Sequence, residues 1–224
     1  MDAPRHERYS SELIRSVLLP DPSAPEFEPL WPAKTPEKMT PGLNAWLPKR
    51  QLPAAVLIPL IDRHSGLHVL LTQRSANLRD HAGQISFPGG RIEPADRSAW
   101  HAALRETQEE VGLDPQTIEF AGYLPDHIVG TGFRVTPVVG FVQSPLRLAL
   151  ASAEVSEVFE VPLEHLFDVA NHSLKTRRFG DTEVHFHDIR YQHRSIWGAT
   201  AGMLMTWRRL IEAQRAQLAQ DKQD

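Results

Sequence analysis

At 224 residues the chain is longer than a typical single domain and shorter than two, which predicts one globular unit carrying an extension. Hydrophobic residues at 41% and charged ones at 23% exclude the disordered, fibrous and helical-membrane classes. The absence of cysteine removes disulfide frameworks, thiolate nucleophiles and thiolate-bound zinc or iron–sulfur clusters, and a formal charge of −4 lacks the basic excess of a nonspecific nucleic-acid binder. No apolar run follows the charges of Met1–Arg8, so the start does not read as a secretory signal, and the chain is expected to be cytoplasmic with neither membrane nor nucleic acid as partner.

Leu13, Ile14, Val17 and Leu18 stand at helical spacing behind Ser10 or Ser11 as a cap, predicting a short helix. From Pro20 to Pro53 prolines recur, so residues 1–50 read as an N-terminal helix with a Pro-rich extension and residues 51–224 as the folded domain. Ala54–Ile61 and Leu67–Thr72, joined across Asp62–Gly66, predict a hairpin. Gln84–Phe87 predicts a short strand that stops at a tight Pro88-Gly89-Gly90 loop. A helix is expected over Arg97–Val111, with Asp96 as its N-cap and Gly112 just past its end. Strands at Ile118–Leu124 and Arg134–Val142 follow, then an acidic stretch at Ala151–Glu160 and a short helix near Leu163–Val169. Arg177–Arg190 predicts a hairpin around Gly180-Asp181, and Ser195–Leu218 a long helix. Strands and helices mix without regular alternation, which favours an α+β domain built on a mixed sheet.

The segment over Arg97–Val111 carries the chemistry. Trp100, Leu104, Thr107 and Val111 share one stripe suited to packing on a sheet, whereas Glu106, Glu109 and Glu110, spaced i, i+3 and i+4, crowd onto another. Like charges at this spacing cost roughly 0.2–0.5 kcal/mol a pair. Anions in the last turn also oppose the helix dipole, at ~0.3–1 kcal/mol apiece. Arg105 can offset one of them, Glu109. A divalent cation accounts for the rest: Mg²⁺ or Mn²⁺ takes carboxylate oxygens and bridges to substrate phosphates, and Gly90 in the neighbouring loop offers a backbone carbonyl as a further donor.

Gly90 and the run Arg105-Glu106-x-x-Glu109-Glu110-x-Gly112-Leu113 together resemble the box of the Nudix hydrolase superfamily. The interval from Gly90 to Arg105 is one residue longer than the general box, Asp96 stands where glutamate is usual, and Thr107 fills a position that is usually aliphatic. The extra residue is a feature of the coenzyme A pyrophosphatase branch, and the upstream stretch Leu70–Gly90 is similar to that branch's signature. The resemblance implies an α/β/α sandwich around a mixed sheet. It also implies metal-dependent cleavage of coenzyme A or acyl-CoA to 3′,5′-ADP and 4′-phosphopantetheine. By position in the motif, Glu106 and Glu110 are the expected metal ligands, Glu109 a third ligand or the base, and Arg105 the residue that fixes the carboxylates. Because superfamily members can place the base on a later loop, Glu154 and Glu157 are candidates, with Asp126 and His127 behind them. Arg74 and Arg79 stand in the branch signature and suit bidentate phosphate binding.

Other chemistries lack their motifs: there is no His-Glu-x-x-His, no P-loop and no Gly-x-Ser-x-Gly. His185 and His187 share one strand face and read as packing residues, and the apolar face of the last helix reads as core, with a homodimer interface as the sharper alternative. Two readings stand beside the first: hydrolysis of ADP-ribose, NADH or another nucleoside diphosphate derivative, and a nucleotide-binding module without turnover.

Overall fold

The computed structural model describes residues 9–19, 51–78, 81–151, 153–179 and 182–222. Most of the Pro-rich extension, Arg79 and the turn residues Gly180 and Asp181 lie outside them. In chain order the elements are α1 (Ser11–Ser16), β1 (Leu52–Arg63), β2 (Gly66–Arg74), β3 (Ile85–Ser86), β4 (Gly89–Arg91), α2 (Ala99–Val111), β5 (Ile118–Tyr123), β6 (His127–Ile128), β7 (Phe133–Val142), β8 (Val155–Pro162), α3 (Leu163–Phe167), β9 (His172–Phe179), β10 (Thr182–Tyr191), β11 (Arg194–Trp197) and α4 (Gly198–Gln220).

The hydrophobic run of β1 makes it the hub of an eight-stranded sheet. It pairs antiparallel with β2 across the expected hairpin and parallel with β7 from Leu52 opposite Phe133 to Ile61 opposite Val142. β5 and β6 lie antiparallel on β7, and β3 and β8 on β2, so the sheet is mixed as expected. Four sequence expectations change. Ser195–Trp197, expected to open the last helix, pair with β10 as β11. Gly89 and Gly90 do not form a loop: they pair with Val56 and Ala55 as β4, because glycine leaves the backbone free to join a ladder when a partner edge is close. The acidic stretch becomes strand β8 from Val155 onward, with Glu154 just ahead of it. The helix α2 is capped by Ser98, whose Oγ accepts the His101 N–H, rather than by Asp96.

Alternation along the strands splits the core into two layers. On one face Ile58, Leu60, Val69 and Leu71 pack with Ile14 of α1, Leu166 of α3 and Leu204, Trp207 and Ile211 of α4. On the other, Ala55, Leu57, Leu70 and Val138 pack with Ala99, Ala102, Ala103 and Val111 of α2. The result is the α/β/α sandwich. α1 is docked onto it, with Leu19 bridged to Tyr123.

The antiparallel sheet β9–β10–β11 packs against α4. Asp188 on β10 is fully buried; burial pushes its carboxyl up, but Lys175 and Ser195, both bonded to it, and Arg190 leave it below its usual range. Arg194 of β11 pairs with Glu157 of β8 and lies 4.3 Å over the Phe159 ring, tying this sheet to the large one.

His127 packs its ring against α4: a methyl group on Gly202 would stand 2.7 Å from His127 Cε1. Desolvation there pushes the imidazole down from 6.5 to about 4. Above pH 6.5 the ring is neutral whether the chain is folded or not; between pH 6.5 and 4 the unfolded chain takes up a proton that the folded one refuses. Stability carried by this site is therefore expected to fall with acidification, by up to roughly 3 kcal/mol at pH 4. The check is chemical denaturation of wild type and His127→Gln from pH 7.5 to 4.5. The wild type should lose ground relative to the variant, and a constant difference would count against it.

Candidate active site

Glu110 is the innermost member of the acidic group, 7% exposed, on the sheet-facing side of α2. The sequence reading placed it on a separate acidic face with Glu106 and Glu109, but the three are not equivalent. Glu110 stands seven residues after buried Ala103, and a heptad returns to within about 20° of the same helix direction, so it shares the core stripe. Its Oε2 accepts the Gly89 N–H at 3.1 Å and its Oε1 lies 3.9 Å from Arg74 Nη1. Burial pushes this carboxyl up to about 7; the Gly89 N–H and Arg74 oppose the shift, and Glu106 and Glu154 add to it.

Glu106 is half-buried beside β4. A methyl group on Gly90 would stand 2.5 Å from its carboxylate, so the glycine leaves this space open. Burial raises the Glu106 carboxyl, Arg105 opposes, and Glu109 and Glu154 reinforce the rise. Glu109 is the outer member, with a side chain 60% exposed and 3.4 Å from Arg105.

Arg105 is the organiser, though for partners beyond the one expected. Its Nε and Nη2 grip Asp96 at 3.1 and 2.9 Å, its Nη1 reaches Glu106 at 2.9 Å, and its Nη2 also donates to the Arg91 carbonyl at 3.0 Å. Asp96, released from the capping role, is the anchor. Arg105 hydrogen bonds hold its carboxyl below the usual range, and Asp96 holds the guanidinium above its own.

The later-loop candidates separate clearly. Glu157 shares a strand face with Phe159 and Val161, the face turned to α4, and is paired with Arg194; it is on the far side of the sheet from α2. Glu154, just before β8, adds its negative charge to both Glu106 and Glu110. Asp126 is buried against Arg134 Nε and Thr136 Oγ1, each at 2.7 Å, and His127 against α4, so neither joins the acidic group. Arg74 ends β2 on the α2 side; Arg79 lies outside the described residues.

Among the described residues no three carboxylate or imidazole groups stand close enough, as placed, to enclose a metal ion, since Arg105 draws Glu106 and Glu109 to itself. The donor set nevertheless fits a hard divalent cation. It is all oxygen; burial and mutual repulsion disfavour the negative charges of Glu106 and Glu110, which Arg105 and Arg74 only partly offset, and Gly90 keeps the approach to Glu106 free of a side chain.

A NUDIX domain model matches residues 51–181. A Nudix hydrolase named NudL from Citrobacter koseri is 46% identical over 153 residues, covering 67% of this chain and 78% of that protein. The NudL of Escherichia fergusonii is 45% identical over 153 residues with the same coverage. Among solved structures, the Nudix hydrolase RenU from M. smegmatis aligns with a TM-score of 0.48 at 20% identity, covering 74% of this chain and 87% of its own. Members of this family generally use divalent metal ions. With the box residues on α2 and β4 of a mixed-sheet sandwich, the chain belongs to the Nudix family and is a Nudix pyrophosphohydrolase.

Proposed function

We propose that the chain hydrolyses the pyrophosphate bond of coenzyme A or its thioesters, using Mg²⁺ or Mn²⁺, to give 3′,5′-ADP and (acyl-)4′-phosphopantetheine. The observation that carries the reading is the Leu70–Gly90 stretch: it is similar to the signature of the coenzyme A pyrophosphatase branch, and its Arg74 stands beside Glu110 on the α2 face. A cation next to the acidic group suits a substrate with more phosphate charge than one metal site neutralises.

Glu106 and Glu110 would hold the metal, which when bound screens the non-bridging phosphate oxygens and makes a water molecule more acidic. Glu154 takes the proton of the attacking water as its oxygen bonds to phosphorus; the bridging P–O bond breaks and its electrons leave with the departing phosphate. Arg105, tied to Asp96, keeps Glu106 in place, and Glu109 is an outer ligand. Arg74 and Arg79 receive the 3′-phosphate. Residues 51–224 carry this machinery and residues 1–50 an accessory extension. The working place is the cytoplasm, with a homodimer through α4 as the quaternary option; among the described residues no helix is long and apolar enough to cross a membrane.

The test is a substrate panel of CoA, dephospho-CoA, ADP-ribose and NADH with each metal, products identified by mass. CoA should be preferred, and Arg74→Ala and Arg79→Ala should each raise its KM about tenfold, the loss of one charge-assisted contact, while sparing dephospho-CoA. Preference for ADP-ribose or NADH moves the substrate to another nucleoside diphosphate derivative. Binding without metal-stimulated cleavage makes the chain a nucleotide-binding module.

A further inference from the structure

A helix ends with carbonyls that have no partner inside it. At the end of α2, Gln108 O accepts the N–H of Gly112 at 2.9 Å, but the next carbonyls are served from a distant part of the chain. Ala151 N–H donates to Glu110 O at 2.9 Å and Ala149 N–H to Val111 O at 2.8 Å. Gly112 is needed twice over. Its φ of +70 is left-handed, and a methyl group on it would stand 2.7 Å from Ala149 Cβ and 2.8 Å from Ala149 N and O. The main chain then turns back, with Glu154 N–H and Val155 N–H both donating to Ala151 O at 2.9 Å. From the other side Ser75 N–H, next to Arg74, donates to Glu154 O at 2.7 Å. Glu154 is thus held between the end of α2 and the end of β2, the two elements that supply Glu110 and Arg74.

We infer that Gly112, Ala149 and Ala151 are positioning residues for the Glu154 carboxylate, a strut built off the C-terminal end of the helix that bears the metal-binding glutamates. The inference rests on the role given to Glu154 in the proposed hydrolysis. The Glu110 side chain and the carbonyl that Ala151 grips hang from the same Cα, so the two acids are set by one frame. A shift of the strut at its α2 end moves Glu154 relative to Glu106 and Glu110, whereas its tie to Arg74 is indirect, through the Ser75 N–H.

The test compares full-length wild type, Gly112→Ala, Glu154→Gln and the double variant for kcat, KM and melting temperature, with Gly198→Ala as the control. Gly198 has a φ of +67 and nothing within 4 Å of an added methyl, so it reports the backbone strain alone. Glu154→Gln should lower kcat about 10²-fold, the smaller end of a general base's contribution. Gly112→Ala should lower kcat on the order of tenfold or more, as misplacement of a reacting group does, with KM nearly unchanged. Gly198→Ala should share the fall in melting temperature but not the fall in kcat. In the Glu154→Gln background Gly112→Ala should cost nothing further. Ala151→Pro, which deletes the N–H to Glu110 O without touching the left-handed residue, asks the same question should Gly112→Ala fail to fold. Equal losses with and without Glu154, or full activity in Glu154→Gln, overturn the strut. A wild type that cleaves no nucleoside diphosphate derivative overturns the hydrolytic reading instead, a separate result.

Discussion

Glu110→Gln is expected to yield a protein more stable than the wild type when no metal is added, and at least about 10³-fold slower. Both effects come from one carboxylate. Gln keeps an amide oxygen for the Gly89 N–H and fills the same volume, so the packing of α2 on the sheet is preserved. It removes a charge that burial and the proximity of Glu106 and Glu154 disfavour, and relief of a buried, poorly paired charge is worth on the order of 1–3 kcal/mol. Activity falls because a neutral amide is a poor ligand for a hard cation, and that cation supplies several kcal/mol of transition-state stabilisation. Thermal melting in chelator and turnover with Mg²⁺ read the two halves separately. A variant that melts lower than wild type would mean Glu110 serves the fold rather than the chemistry.

The adjacent glycines of β4 are expected to fail in opposite ways. An added methyl on Gly89 would stand 2.4 Å from Ala55 O and 2.6 Å from Val56 Cα, both rigid main chain of the central strand, at a φ of +151. Nothing there can yield, so Gly89→Ala should cost more than about 3 kcal/mol and much of the soluble protein with it. The atoms nearest the methyl of Gly90→Ala would be the end of the Glu106 side chain, which can swing away at the expense of its Arg105 bond. That variant should melt within a few degrees of wild type, bind Mn²⁺ more weakly and lose on the order of 10²-fold in kcat/KM. Calorimetry with Mn²⁺ and circular dichroism on the two proteins distinguish the cases. Equal melting temperatures for both would show that β1 and β4 can move apart enough to take in a methyl group.

Much of the frame was readable from local pattern. The Asp62–Gly66 turn, the Gly112 helix stop and the apolar strand runs of β5 and β7 depend on neighbours in sequence, and each formed where expected. What escaped was decided at a distance. Asp96 has the residue type of a cap, but Arg105, nine positions on, binds it more strongly than a backbone N–H would, and Ser98 takes the cap instead. The pairing of Gly89 and Gly90 depends on the edge of a strand more than thirty residues upstream. The acidic residues were identified by type and spacing alone, yet their inequality follows from helix phase: the Ala103-to-Glu110 heptad was present in the sequence and would have put Glu110 inside. No sequence rule separates Glu154 from Glu157. Strand alternation turns Glu157 toward α4, and only the register of β8 on β2 shows it, with Glu157 opposite Gln73.

The central sheet keeps two tasks apart. Among the described residues, Glu106, Glu110, Arg105 and Arg74 lie on the α2 side, and the aromatic and aliphatic bulk of α1, α3 and α4 fills the other. Thermostabilising changes made among Leu166, Leu204, Trp207 and their neighbours can therefore be screened by melting alone, with catalytic rate left as an independent variable that a different set of positions tunes.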